Sequence, residues 1–208
     1  MTVAIIDYGV GNLFSLTSVC DHLGVPACVT DDARLIETAS HVILPGVGAF
    51  GDAIERLRAT GLVPVLDERV RQGRPLLGIC LGMQLLFERS FEYGEHAGLA
   101  YLPGDVVPLE ETFAREGFAL KVPHMGWNRL DVRRDDVLLA GVNPESSVYF
   151  VHSFYADTDS ECLVATAEYG VDVPAIVAKE ALWGCQFHPE KSGEVGLQIL
   201  RNFFAFEG

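Results

Sequence analysis

Pro75-Leu76-Leu77-Gly78-Ile79-Cys80-Leu81-Gly82-Met83-Gln84 reads as a buried strand, a tight turn framed by two glycines, and the start of an amphipathic helix. A cysteine at the apex of such a turn is held on strained backbone and presented to solvent. It also sits where the unpaired amides of a helix N-terminus favour a thiolate. Gly78 and Gly82 leave room for close backbone approach. The arrangement predicts Cys80 as a nucleophile. The alternative is a strand-end cysteine acting as a small apolar residue.

Outward from this elbow, strand and helix alternate through the first half of the chain. Residues 3–6, 27–30, 42–44 and 76–79 read as strands. Helices are expected over 13–23, capped by Asn12 and ended by Gly24, then around 52–59, over 63–71, and from the elbow to about residue 89. Such alternation implies a parallel sheet covered on both faces, with right-handed crossovers that bring Cys80 to the carboxyl edge where ligands bind. From about Gly98 the pattern changes to short strands at 106–109, 119–122, 128–132, 147–152, 163–169, 175–179 and 183–187, a mixed or antiparallel portion. A last helix over 192–206 takes Ser192 as its cap and places Leu197, Leu200, Phe203 and Phe204 on its apolar face. No repeat, low-complexity tract or linker interrupts the chain, so one domain over 1–208 is expected. The fold class is α/β: an open, mostly parallel twisted sheet with helices on both faces and an antiparallel addition in the second half.

The 208 residues are 49% hydrophobic and 21% charged, ordinary for a globular protein with a sizeable core. A formal net charge of -14 argues against nucleic acid and anionic membrane as partners. No apolar run approaches the roughly 18 residues a bilayer demands. The opening Thr2-Val3-Ala4-Ile5-Ile6-Asp7 reads at once as a strand with no basic region before it, so a cytoplasmic location is expected. Five scattered cysteines (Cys20, Cys28, Cys80, Cys162, Cys185), none in a Cys-x-x-Cys spacing, disfavour a disulfide framework and a zinc site. No metal or cofactor is expected. Pro45-Gly46-Val47-Gly48 lacks the Lys-Ser/Thr of a P-loop, and Gly9-Val10-Gly11-Asn12 lacks the third glycine of a dinucleotide turn.

A thiol nucleophile needs a base, and the base an orienting acceptor. His188 in Cys185-Gln186-Phe187-His188-Pro189-Glu190 follows a short apolar run. Residues two apart in an extended segment point the same way, so Glu190 can fix the tautomer of His188 that accepts the thiol proton. A surface histidine beside an unrelated glutamate is the alternative. His22 and His41 read as structural or solvated, and His96 as part of an acidic loop. His124 and His152 lie in aromatic-rich segments that are either core or interface. Acyl chemistry also needs oxyanion donors. The Leu81 amide, next after the nucleophile, is one, and a glycine turn such as Pro45-Gly46-Val47-Gly48 is suited to supply another.

Together, Gly78-Ile79-Cys80-Leu81-Gly82-Met83-Gln84 and Phe187-His188-Pro189-Glu190 resemble the class I (triad) glutamine amidotransferases. Asp7-Tyr8-Gly9-Val10-Gly11-Asn12, Pro45-Gly46-Val47-Gly48-Ala49-Phe50, Val122-Pro123-His124-Met125-Gly126-Trp127-Asn128, Tyr149-Phe150-Val151-His152-Ser153 and Lys191-Ser192 narrow the resemblance to the glutaminase subunits of imidazole glycerol phosphate synthases. Glutaminases of the anthranilate type differ at the oxyanion loop, after the elbow glycine and after the His-Pro. The resemblance implies a flavodoxin-like amidotransferase fold. It implies that Cys80 attacks the glutamine amide to give a glutamyl thioester and ammonia, with His188 moving the proton and Glu190 orienting it. Val47, on a loop able to turn its N–H, becomes the second oxyanion donor beside Leu81. Gly48, Gln84, Glu92 and the backbone of Ser153 and Phe154 hold the glutamine. Phe154 stands where the family often has Tyr, which leaves backbone as the contact there.

The implied partner is a (β/α)8-barrel cyclase subunit. It takes the ammonia for a ribonucleotide reaction that yields imidazole glycerol phosphate and aminoimidazole carboxamide ribonucleotide in histidine biosynthesis. Asn12, Trp127, Tyr149 and Lys191 match positions facing that partner. Two competing readings remain at this level: a stand-alone thiol hydrolase on the same elbow, and a non-catalytic regulatory subunit. An intact Cys80, His188 and Glu190 weighs against the latter.

Overall fold

In the computed structural model, which describes residues 2–143, 145–158 and 161–207, apolar strands sort into one large sheet. The first half contains β1 (Val3–Ile6), α1 (Leu13–His22), β2 (Ala27–Thr30), α2 (Ala33–Thr38), β3 (His41–Leu44), α3 (Phe50–Ala59), α4 (Val63–Arg71), β4 (Leu76–Ile79) and the single turn α5 (Leu81–Gln84). The second half contains β5 (Arg89–Ser90), β6 (His96–Ala97), β7 (Asp105–Pro108), α6 (Leu109–Glu116), β8 (His124–Arg129), β9 (Asp131–Val132), β10 (Ser147–His152), β11 (Phe154–Asp157), β12 (Leu163–Tyr169), β13 (Val171–Lys179), β14 (Leu182–Cys185) and α7 (Gly193–Ala205).

The main sheet runs β2-β1-β3-β4-β14-β13-β12-β9. Its first five strands are parallel and its last three join antiparallel. Every residue of β1, β3, β4 and β14 is buried, because helices cover both faces. Alternation along β1 divides the core. Val3 and Ile5 face one layer with Leu16, Leu200 and Phe203, while Ala4 and Ile6 face another with Ile54, Leu57 and Leu66. A ribbon of β8 with β10 and a small sheet β11-β7-β5-β6 are built beside this frame. No helix among the described residues is long and apolar enough to cross a membrane.

Several expectations need correction. The helix expected to run from Cys80 to about residue 89 stops at Gln84. Leu85, Leu86 and Phe87 are all fully buried, and their carbonyls accept from Leu99, Leu102 and Ala100, so the chain is held in turns by its neighbours. Residues 119–122 are not a strand, and α2 and α6 were not anticipated. The strand expected over 128–132 is two pieces, β8 and β9, which pair with different partners. In α7, Ile199 rather than Leu197 belongs to the buried face. Ser192 does not cap with its side chain; its hydroxyl instead donates to the His188 carbonyl.

The elbow is a seam of bare backbone. A Cβ on Gly82 would meet the Leu44 carbonyl oxygen at 1.9 Å, and one on Gly46 would meet the Gly82 nitrogen at 2.6 Å. Gly82→Ala is therefore expected to cost about 3 kcal/mol or more, because backbone must move. Gly61→Ala, strained at φ 73 but facing open space, should cost about 1–2 kcal/mol. Urea unfolding of the two variants measures the difference.

Candidate active site

Three parallel neighbours, β3, β4 and β14, end at the same edge, and their following segments carry the chemistry. From β4 comes Cys80, at φ 55 and ψ -112, a conformation costing a non-glycine residue roughly 1–3 kcal/mol. Its amide is tied to the Cys185 carbonyl at 2.7 Å, and its own carbonyl accepts from Gln84 at 3.1 Å. Overlap of these bonds fixes the strained turn. The side chain is not presented to bulk solvent as expected, being only 7% exposed, but opens into a cavity of about 380 Å³. Its Sγ faces the Val151 carbonyl at 4.0 Å and receives Gln186 Nε2 at 3.8 Å.

From β14 comes His188. Its Nδ1 lies 2.8 Å from Glu190 Oε1, which leaves Nε2 for the sulfur, and the two side chains are almost wholly buried. Burial lowers the His188 pKa, but side-chain hydrogen bonds to Cys80 and Glu190, reinforced by their charges, outweigh it and raise the value to about 9. A carboxylate on one ring nitrogen and a thiol on the other make an acceptor poised to take the sulfur's proton. Glu190 Oε2 is buried and has no hydrogen-bond partner among the described residues.

From β3 comes the Pro45–Gly48 turn. The buried Tyr8 hydroxyl anchors it by donating to the Pro45 carbonyl at 2.6 Å, and Gly48 takes φ 93. Val47 is half-exposed on the cavity rim, and Leu81 is buried at the start of α5. The two residues expected to supply oxyanion donors thus line the same cavity as Cys80.

So do Gly48, Gln84, Glu92, Ser153 and Phe154, the expected glutamine contacts. Glu92 is buried, accepts from the Phe50 amide at 2.5 Å, and has its pKa raised by burial, an effect opposed by that hydrogen bond and by His96. Gln84 Nε2 donates to the Phe154 carbonyl at 2.9 Å and to Gln186 Oε1 at 3.0 Å. The Phe154 carbonyl also lies 2.9 Å from His152 Nδ1, so both its lone pairs are occupied. Leu109 donates to Ser153 across the β11–β7 ladder, which puts Phe154 at a non-hydrogen-bonded position with its N–H turned away from β7. The backbone group Phe154 can offer a ligand is that N–H, not its carbonyl.

Two contributors were not anticipated. Gln186, fully buried, links the sulfur to Gln84 and has no spacing signal beyond its place two residues before His188. Tyr93, at φ 53 and 89% exposed, stands on the cavity rim with its ring edge-on to Phe154 at 6.1 Å. His124 and His152 prove to be core residues, joined ring to ring. His41 is likewise buried, bonded to the Phe206 carbonyl.

Of the residues expected to face a partner, Trp127 and Tyr149 are paired across the β8–β10 ribbon with rings 5.9 Å apart, and Trp127 is 56% exposed. Met125, also exposed, pairs with Val151 on the same face. Tyr149 accepts the His188 amide at 2.9 Å, and exposed Lys191 lines the cavity mouth. Asn12 caps α1 through Ser15, with α1 packed near the 3-10 turn Pro189–Lys191. A larger cleft of about 770 Å³, lined by Leu23, Arg74 and Phe206 among others, contains none of these groups. Among the described residues no cluster of three or more His, Cys, Asp or Glu could hold a metal ion.

The family model for class-I glutamine amidotransferases matches residues 4–206. The chain is 50% identical over 201 residues to imidazole glycerol phosphate synthase subunit HisH of Shouchella clausii, covering 97% of this chain and 96% of that protein. It is also 50% identical over 201 residues to the subunit of the same name from Bacillus cytotoxicus, covering 97% and 93%. In fold it is similar to a solved structure of a glutamine amidotransferase (TM-score 0.72, 21% identity, 97% and 96% covered). It is also similar to the PurLQS structure from Thermotoga maritima (TM-score 0.73, 17% identity, 98% and 97% covered).

The contact with Glu190 is one of those that raise His188, so Glu190→Gln should shift the imidazole's titration to lower pH than about 9. Ring-nitrogen NMR of His188 in the two proteins reads this directly; an unchanged midpoint would mean that the carboxylate does not set its basicity.

Proposed function

The chain belongs to the class-I glutamine amidotransferases, and from that premise we propose that it is the glutaminase subunit of an imidazole glycerol phosphate synthase, in which Cys80, His188 and Glu190 hydrolyse glutamine. The observation that carries the reading is the convergence of Cys80, His188 and Glu92 on one cavity, with Glu190 held 2.8 Å behind the imidazole.

Glutamine enters with its amide carbon toward the sulfur. The Glu92 carboxylate, in the pocket lining, suits the substrate's ammonium, and the Phe154 N–H its carboxylate. His188, whose raised pKa lets it hold the proton drawn from the sulfur, keeps that proton as sulfur adds to the carbonyl carbon. The resulting oxyanion is met by the amides of Leu81 and Val47. Collapse of that intermediate breaks the C–N bond; His188 returns its proton to the leaving nitrogen and ammonia departs, leaving a glutamyl thioester on Cys80. Water, deprotonated by the same imidazole, adds to the thioester, and its collapse expels glutamate and restores the thiol. Glu190 stays ionised and keeps the ring in one tautomer.

The ammonia serves a cyclase subunit with a (β/α)8-barrel fold, bound as a heterodimer partner over the face that carries Trp127, Tyr149, Lys191 and Asn12. Exposed apolar side chains beside the cavity mouth support that placement, since large aromatics are enriched at interfaces. Channelling between subunits, the lyase chemistry of the assembled synthase and a cytoplasmic location complete the proposal, with the whole chain acting as one domain.

Cys80→Ala is expected to abolish glutamine-dependent synthesis by the reconstituted complex while ammonia-dependent synthesis stays within about twofold of wild type. Loss of both would mark Cys80 as structural. Glutamine hydrolysis should rise when cyclase and its ribonucleotide are added; a full rate by the isolated chain would favour a stand-alone hydrolase.

A further inference from the structure

Behind the cavity, His152 and His124 form a chain of hydrogen bonds whose two ends are both acceptors. The first end is the Phe154 carbonyl, 2.9 Å from His152 Nδ1. His152 Nε2 then lies 2.9 Å from His124 Nδ1, and His124 Nε2 lies 3.0 Å from Asn128 Oδ1. Asn128 is fixed in that sense because its Nδ2 donates to the Glu168 carbonyl at 3.0 Å. His152 must therefore carry a proton on Nδ1, and His124 one on Nε2. If both rings were neutral, the remaining pair, His152 Nε2 and His124 Nδ1, would set two lone pairs face to face at 2.9 Å. Three contacts need three protons, one more than two neutral imidazoles hold.

We propose that His124 is a positioning residue for the glutamine pocket, acting through His152 on the Phe154 carbonyl, and that this chain is complete only when the two imidazoles carry one shared excess proton. Phe154 is the pivot because the same carbonyl holds Gln84. At the other end Asn128 follows Trp127 on β8, so the completed chain ties the ribbon to the pocket wall.

The surroundings indicate where the proton resides. His124 is sandwiched between Phe150 and Tyr169, with ring centroids at 4.7 and 4.0 Å and planes within 17° and 13°, a setting that favours an imidazolium. His152 feels both His124 and the positive-going His188, whereas His188 does not bear on His124. The excess proton is accordingly on His124. Besides the titratable rings of His152 and Tyr169, the polar groups that face it are Asn128 and the Glu168 backbone; the Glu168 side chain is exposed. Burial lowers His124 from its ordinary value, with the Asn128 contact working against it, and takes His152 to about 3. The chain therefore closes on the acid side of about 6.5.

The consequence for glutamine rests on the glutaminase reading; the proton count does not. Ring-nitrogen NMR on the wild-type full chain tests the count. Below the His124 midpoint both its nitrogens should be protonated while His152 keeps only Nδ1–H; two rings that stay neutral throughout the acid range over which the protein remains folded would overturn it. Glutamine affinity by calorimetry tests the consequence, in Cys80→Ala and in the double variant Cys80→Ala with His124→Gln. Glu92 titration weakens binding at acid pH in both, so the informative quantity is the difference between their slopes. As pH falls through the His124 midpoint found by NMR, the His124-containing protein should gain about three- to tenfold relative to the double variant. Identical slopes would overturn the positioning role. Failure of Cys80→Ala to bind glutamine at any pH would instead count against the glutaminase reading, and with it the proposed consequence.

Discussion

The parallel pairing of β3, β4 and β14 is the constraint on which the site depends, together with the bare-backbone contact it forces where β3 and β4 end. Gly46, Gly78 and Gly82 are required there for close approach: a Cβ at each would meet backbone at 3.0 Å or less. None of the three has a positive φ, so ordinary conformational freedom is not their purpose. Their contact brings the Pro45–Gly48 turn against Leu81, so that Val47 and Leu81 line the same cavity as Cys80. The strain at Cys80 is tolerated because its N–H and C=O are both committed, to Cys185 and Gln84, and because strand and turn are wholly buried on either side.

Around that seam the polar groups interlock rather than act in pairs. Gln186 touches the sulfur and Gln84; Gln84 holds Phe154; Phe154 receives His152; His152 meets His124, which ends at Asn128. Side chains in such a low-dielectric chain polarise one another, so each contact is worth more in company than alone. A second, backbone route is shorter. The Tyr149 carbonyl takes the His188 N–H, and the Tyr149 N–H goes to Ser192 Oγ, whose hydroxyl returns to the His188 carbonyl. The backbone of His188 is thus clamped to the ribbon strand that carries the exposed aromatic face.

What the sequence revealed follows from which signals are local. The β1, β2, β4, β10 and β12 ranges were legible because alternating or continuous apolar runs ended in glycine, proline or polar residues. The elbow was legible because glycines at 78 and 82 have few uses other than close approach. α6 is readable in principle: Glu110 and Glu111 in its first turn and left-handed Gly117 at its end are helix boundaries, although the helix starts directly where β7 ends, with no turn residue between them. The length of α5 was not legible. Its termination is imposed by amides of residues 98–102, which bind the carbonyls of residues 85–88. Gln186 was missed for a similar reason, since its role arises only when β14 lies beside β4. Likewise His124 and His152, left open between core and interface, are brought together by ribbon register alone.

These facts bear on why a glutaminase of this build would work in company. The sulfur and imidazole are already assembled and buried, whereas the rim is not: Val47 and Tyr93 are exposed, and Gly48 faces open space. A partner seated on the ribbon would cover apolar surface at Met125 and Trp127, beside Val151, whose carbonyl faces Cys80, and Tyr149, whose carbonyl holds His188. Even a displacement of β10 by a few tenths of an ångström would alter both contacts at once, because hydrogen-bond strength falls steeply with distance and angle. The exposed aromatic side chains and the contacts to Cys80 and His188 thus belong to one ribbon, its side chains at the surface and its carbonyls at the site.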